Sequence, residues 1–267
     1  MPEQHDPAAL LALATAVALE AADLLAQWAR RPRSGVATKS SLTDMVSDAD
    51  RASERLIVER ILAARPGDAI LGEEDGARDG VSGLRWVIDP LDGTTNFLYG
   101  IPAYAVSIGL EDSEGALAAV VADAARGELF AAARGRGATL DGRPIEVSRP
   151  PNLGVALTGT GFGYDADRRR RQVEVVARVL PQVRDIRRGG SAALDLCYLA
   201  CGRLDAYFEA GLGPWDYAAG ALIVREAGGV TEFVEVAPGL PPALLASGDA
   251  IWPSFRALLA GAGAHAS

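Results

Sequence analysis

Residues 86–97, "WVIDPLDGTTNF", end an apolar run with two aspartates three apart, Asp89 and Asp92, followed at once by Gly93, Thr94 and Thr95. Carboxylates this close at a strand exit repel each other unless a positive charge lies between them. Two more acids stand at comparable points: Glu73 follows "AILG", and Asp216 lies at the start of "PWDYAAGALIVREAGG". Each alone reads equally well as a helix cap or a turn acid. As a set of four, placed where buried segments end, they call for a cation. The two histidines, His5 and His265, lie near the termini, and the two cysteines are Cys197 and Cys201. The ligand set is therefore all oxygen, which suits Mg²⁺, with Mn²⁺ and Ca²⁺ as competitors. The same scarcity of histidine argues against a Ser-His-Asp triad or a phosphohistidine. Acid–base work then falls to carboxylates, hydroxyls, lysine or metal-bound water. Gly93 permits a tight turn, and the amides of Gly93, Thr94 and Thr95 could open a helix that accepts a phosphate oxygen. Metal beside a phosphate cradle points to phosphoryl chemistry.

Several elements must position these residues. Ser47, with Asp50 three residues on, resembles a capping arrangement that opens a helix through about Ala64, stopped by Pro66-Gly67. "AILGEED" and "LRWVIDP" read as short strands whose exits carry the acids. "AYAVSIGLE", "ALAAVVAD" and "GELFAAA" read as a meander. Further on, "VALTGTGFG" is a strand ending in glycines, before a polar helix from Asp165. "VRDIRRGG" leads from a strand to a helix near Ser191, and "RLDAYFEAG" is a strand. "PWDYAAGALIVREAGG" is a helix with Pro214 in its first turn and a glycine stop, and "PALLASG" precedes a last helix. Strands and helices mix in both halves, which favours layered α and β over one parallel barrel. The expectation is one domain over 1–267, with an α+β half (about 1–150) and an α/β half (about 151–267).

The chain has 267 residues, 49% of them hydrophobic, and a formal charge of −9, which argues against non-specific nucleic-acid binding. Glu20, Asp23 and Gln27 interrupt the apolar N-terminal stretch on one helical face. A helix packed on the body is therefore expected rather than a membrane span or signal peptide, and the location expected is cytoplasmic. Cys197 and Cys201 read as small buried hydrophobes. "GTGFG" lacks the full dinucleotide spacing, so an oxidoreductase is not expected. The arginines at 168–171 read as a solvated helix face, or else as a partner or second-phosphate site.

"GEED", "WVIDPLDGTTNF" and "PWDYAAGALIVREAGG", preceded by "TKSSLTDMVSDAD" and with "RRGGSAALDL" between, resemble the inositol monophosphatase family, bacterial branch. The likeness runs from about Lys39 to Gly229. It implies an αβαβα sandwich of the inositol monophosphatase and fructose-1,6-bisphosphatase type, a homodimer, and two or three Mg²⁺ per site. By resemblance, Glu73, Asp89 and the Leu91 carbonyl hold the first ion, and Asp89, Asp92 and Asp216 hold the second. A weaker third lies near Glu73. The family has isoleucine where Leu91 stands, an exchange that a carbonyl ligand tolerates. Asp50 and Thr94 orient the nucleophilic water and, with Glu73, make up the catalytic set, while Lys39 belongs to a mobile loop. Gly93 and Thr94 amides meet the phosphate with Asp92, while Glu209, Asp216 and the Ala192 backbone meet polyol hydroxyls. Thr95, where relatives acting on nucleotide 3′-phosphates or histidinol phosphate often carry lysine, leans towards inositol 1-phosphate. The implied activity is phosphomonoester hydrolysis without a covalent intermediate, with no direct nucleic-acid or membrane partner. The alternatives are a fructose 1,6-bisphosphate, histidinol phosphate or nucleoside 3′,5′-bisphosphate phosphatase, or a transcription-associated binding role.

Overall fold

The structure, a computed structural model, describes residues 6–30, 37–38, 45–46 and 48–261, with backbone alone at 37–38 and 45–46. Strands β1 (Ala37–Thr38) and β2 (Met45–Val46) form a small antiparallel hairpin. A large sheet contains β3 (Ala69–Gly72), β4 (Ala77–Arg78), β5 (Arg85–Asp92), β6 (Ala105–Asp112), β7 (Gly115–Asp123), β8 (Glu128–Ala133), β9 (Ala138–Leu140) and β10 (Arg143–Ile145). Its order is β10-β9-β8-β7-β6-β5-β3-β4, antiparallel throughout except for the parallel pair β3 and β5. A second sheet contains β11 (Leu157–Thr160), β12 (Asp185–Arg187), β13 (Ala206–Ala210), β14 (Gly229–Val234) and β15 (Ala243–Gly248). Its order is β12-β11-β13-β15-β14, parallel on the β12 side and antiparallel on the β14 side.

Among the described residues, seven α-helices complete five layers: α1 (Pro7–Ala29), α2 (Asp48–Ala64), α3 (Thr94–Tyr99), α4 (Ala166–Val179), α5 (Ala192–Ala200), α6 (Pro214–Glu226) and α7 (Trp252–Gly261). Three apolar cores weld the layers. Leu25 of α1 and Ile57 of α2 pack with Trp86, Ile88 and Val106 on the outer face of the first sheet. Leu196 of α5 and Ile223 of α6 join Val121 and Phe130 of that sheet to Tyr207 and Leu244 of the second. Val175 of α4 and Phe255 of α7 cover Phe208 and Leu245 on the far side. The layers are thus α1/α2, first sheet, α5/α6, second sheet and α4/α7, the αβαβα order. Strand β5, buried from Trp86 to Asp92, has helices on both faces, which explains its unbroken apolar run.

The N-terminal helix is long and apolar enough to cross a membrane by length and composition. Its buried residues, among them Leu10, Val17, Ala21 and Leu25, face the body. Glu20, Asp23 and Gln27 point to solvent, and Glu20 pairs with Arg60 of α2. Cys197 is buried and Cys201 half-buried, both as free thiols. Strands β4, β9, β10 and β14 are absent from the sequence reading, whereas the meander, α6 and the caps Asp165 and Ser191 agree with it.

Candidate active site

Two residues three apart in a regular strand point to opposite faces. The structure resolves this for Asp89 and Asp92 by a bulge. Against β6, Asp89 faces Ser107 and Asp92 faces Ala105, so Pro90 and Leu91 together stand opposite Val106 alone. The extra residue restores the facing of the second acid, and a proline is tolerated where the ladder is already broken. Asp89 Oδ1 accepts the Leu91 N–H at 3.0 Å, and Ser53 Oγ of α2 donates to the Pro90 carbonyl at 2.9 Å. Gly93 then turns with φ +93°, where a Cβ would lie 2.8 Å from the Ala103 carbonyl oxygen, so only glycine fits. The first hydroxyl of α3, Thr94 Oγ1, lies 3.2 Å from Asp50 Oδ2 and 3.0 Å from the Leu91 carbonyl oxygen. Asp50, an acid in the first turn of α2, is buried there.

Glu73 follows β3, whose register sets Gly72 beside Ile88. One step further places Glu73 next to Asp89, and the Glu73 N–H donates to the Ile88 carbonyl at 3.2 Å. Asp216 sits at the third position of α6, behind Pro214, and its Oδ2 accepts the Gly213 N–H at 2.6 Å. Asp89, Asp92 and Asp216 bring carboxylate oxygens within 4.8 Å of one another. Glu73 lines the same cleft but lies outside that trio.

Burial dominates the electrostatics here. It holds the Asp89 carboxyl well above the usual range, and Glu73, Asp92, Asp216 and Asp50 push it further up. Asp216 is raised by burial, then by Asp92 and Glu73. Asp92 is raised to about 6 by burial, opposed by hydrogen bonds from Ser191, Ala193 and Ala192 and by the Arg188 charge. Two buried carboxyls and a half-buried one that together resist ionisation form a set that a hard dication with oxygen ligands relieves. The donor chemistry fits Mg²⁺.

These groups open on a cleft of about 290 Å³. On its far wall Glu209 of β13 accepts the Tyr207 hydroxyl at 2.6 Å, and burial raises it to about 7. Gly161 makes its berth, since a Cβ there would lie 2.0 Å from Glu209 Oε2. Ala192 and Gly93 line the cleft as well. Lys39 and Ser47, named from the sequence, lie outside the described residues. The solvated face expected of the arginine run is only partly found. Arg170 pairs with Asp167 at the surface, but Arg168 and Arg188 line the cleft, with Arg168 over Gly163 and Gly211. The sequence reading also missed Ser191 as a partner of Asp92, although Ser191 marked the α5 start, and it missed Asn96.

The family model for the inositol monophosphatase family matches residues 6–261. The chain belongs to the inositol monophosphatase family. An inositol-1-monophosphatase of Mycobacterium bovis is 48% identical over 242 residues, covering 84% of this chain and 83% of that protein. The Nus factor SuhB of Escherichia coli K12 is 41% identical over 223 residues, covering 83% and 84%. The crystal structure of the extragenic suppressor protein suhB from Bartonella henselae superposes with a TM-score of 0.87 at 35% identity, covering 94% and 98%. The layered α/β architecture is that of the inositol monophosphatase family.

Proposed function

We propose that this chain is a Mg²⁺-dependent phosphomonoesterase that hydrolyses inositol 1-phosphate to inositol and phosphate. The observation that carries this reading is the meeting of the buried Asp89 and Asp92 with the half-buried Asp216 beside the Gly93–Thr94 turn. The proposed ligands are Glu73, Asp89 and the Leu91 carbonyl for one ion, and Asp89, Asp92 and Asp216 for another. A bound dication there acidifies water and screens the charge of the leaving oxygen. The protein's own groups do the rest. Thr94 and Asp50, 3.2 Å apart, hold the attacking water in line with phosphorus. The Gly93 and Thr94 amides donate to the phosphoryl oxygens. Glu209, kept in place by Tyr207, accepts from polyol hydroxyls with Asp216, and the Ala192 backbone completes that wall. Chain 1–267 acts on this reading as one phosphatase unit, a cytoplasmic homodimer.

One observation favours a second reading. Arg168 and Arg188 line the cleft, and guanidinium groups suit a second phosphate, as on fructose 1,6-bisphosphate. Phosphate release from inositol 1-phosphate, fructose 1,6-bisphosphate, histidinol phosphate and a nucleoside 3′,5′-bisphosphate, with and without Mg²⁺, separates the readings. Fastest Mg²⁺-dependent turnover of inositol 1-phosphate supports the first. Preference for a bisphosphate supports the second, and no turnover of any ester removes both.

A further inference from the structure

The turn 189–191 touches the candidate site at one end and the phosphate-binding helix at the other. Ser191 Oγ donates to Asp92 Oδ2 at 2.6 Å, and the Ala193 N–H reaches the same oxygen at 2.7 Å. Two residues earlier, the Gly189 carbonyl accepts Asn96 Nδ2 at 2.9 Å, and the same nitrogen reaches the Ala103 carbonyl at 2.7 Å. Asn96 lies on α3, four residues after Asp92. The chain from Asp92 to Asn96, the amide contact to Gly189, the turn to Ser191 and the hydroxyl contact back to Asp92 therefore close a ring. The ring spans both sheets' halves of the molecule, and its members are tightly placed. Asn96 is 4% exposed and Ser191 2%. Gly190 has φ +94°, and a Cβ there would lie 2.7 Å from Asn96 Nδ2. On the other side of the turn, Gly189 rests on Asp195, where a Cβ would lie 2.4 Å from Oδ1.

We propose that Asn96 is a positioning residue for Asp92, acting through the Gly189–Ser191 turn. Two donors on Oδ2 keep the Asp92 carboxyl from turning freely where it lines the cleft. Both amide hydrogens of Asn96 are spent on carbonyls, one in each half, so the side chain fixes where the turn sits relative to β5. Substituents that orient a metal-binding carboxylate typically govern metal affinity by 10–100-fold. This inference rests on the metal-dependent reading above and assigns residues that reading does not use.

The test titrates Mn²⁺ into the wild type, Asn96→Ala, Ser191→Ala, the double variant and Ser191→Thr, followed by calorimetry, with thermal midpoints and kcat and KM recorded alongside. The expected result is a loss of about tenfold or more in the affinity of one metal class in each single variant. The double variant should lose no more than the worse single one, because both break one ring. Ser191→Thr, which keeps the hydroxyl, should restore the affinity. Raising the metal concentration should recover most of kcat with KM for inositol 1-phosphate little changed. Should Asn96→Ala not fold, Asn96→Ser and the two Ser191 variants carry the same comparison. Wild-type metal affinity in all variants, or losses that simply add, would overturn the proposal. A wild type that binds no Mn²⁺ would instead remove the metal-dependent reading itself.

Discussion

Glu209→Gln probes the cleft through stability rather than turnover. Burial raises this carboxyl from its ordinary 4.5 to about 7. At about 1.4 kcal/mol per pH unit, ionising it in the folded protein costs up to roughly 3 kcal/mol, less on the side open to cleft water. The sign follows from the proton count. Between about 4.5 and about 7 the folded protein holds a proton that the unfolded chain has released, so this group makes stability fall as pH rises, and the full penalty persists above that window. Glutamine has the same shape, still accepts from the Tyr207 hydroxyl, and never ionises. Urea unfolding of both proteins in the presence of a chelator, at pH 4.5 and pH 8, reads the difference. The variant should match the wild type at the lower pH and exceed it by about 2–3 kcal/mol at the higher. Equal stability at pH 8, or the same gain at both values, would refute the reasoning that Glu209 is a carboxylate held in a desolvated berth.

Asp92→Asn should abolish Mg²⁺-dependent phosphate release while leaving the metal-free protein at least as stable as wild type at pH 8, since burial opposes the charge it removes. Circular dichroism and phosphate release check both halves, and the same inactive variant shows whether any transcription-associated partner binds independently of catalysis. Thr94→Val keeps the shape but removes the hydroxyl that lies 3.2 Å from Asp50 Oδ2. It should lower kcat by roughly 10²-fold or more with little change in KM, as measured by steady-state phosphate release. Gly161→Ala inserts a methyl where Glu209 Oε2 would be 2.0 Å away. It should cost about 1–3 kcal/mol on thermal unfolding and raise KM for the polyol ester.

Long apolar runs and helix punctuation carried most of the fold in advance. Strand β5 announces itself by Trp86-Val87-Ile88, and α6 by Pro214 at its start and Gly228 beyond its end. Strands β4, β9 and β10 span two or three residues and exist because a neighbour offers a ladder, which no local pattern records. Glu73, Asp89 and Asp92 were legible as strand-end acids and Asp216 as a helix-start acid, but the bulge that turns Asp89 and Asp92 to one side depends on the pairing with β6. The arginine run shows why a charge cluster misleads. At about 100° per residue, consecutive arginines on α4 leave in different directions, so Arg168 reaches the cleft while Arg170 meets Asp167 at the surface. Asn96 was silent for a related reason, as its partner Gly189 lies far along the chain in the other half.

The central claim is that Asp89, Asp92 and Asp216 form a dication site. Anomalous diffraction from crystals soaked in Mn²⁺ tests it most directly. The account predicts a peak bonded to all three carboxylates and a second shared by Asp89 and Glu73, both lost in Asp89→Asn. Absence of density between these side chains at saturating Mn²⁺, with the ion bound elsewhere on the protein, would contradict it.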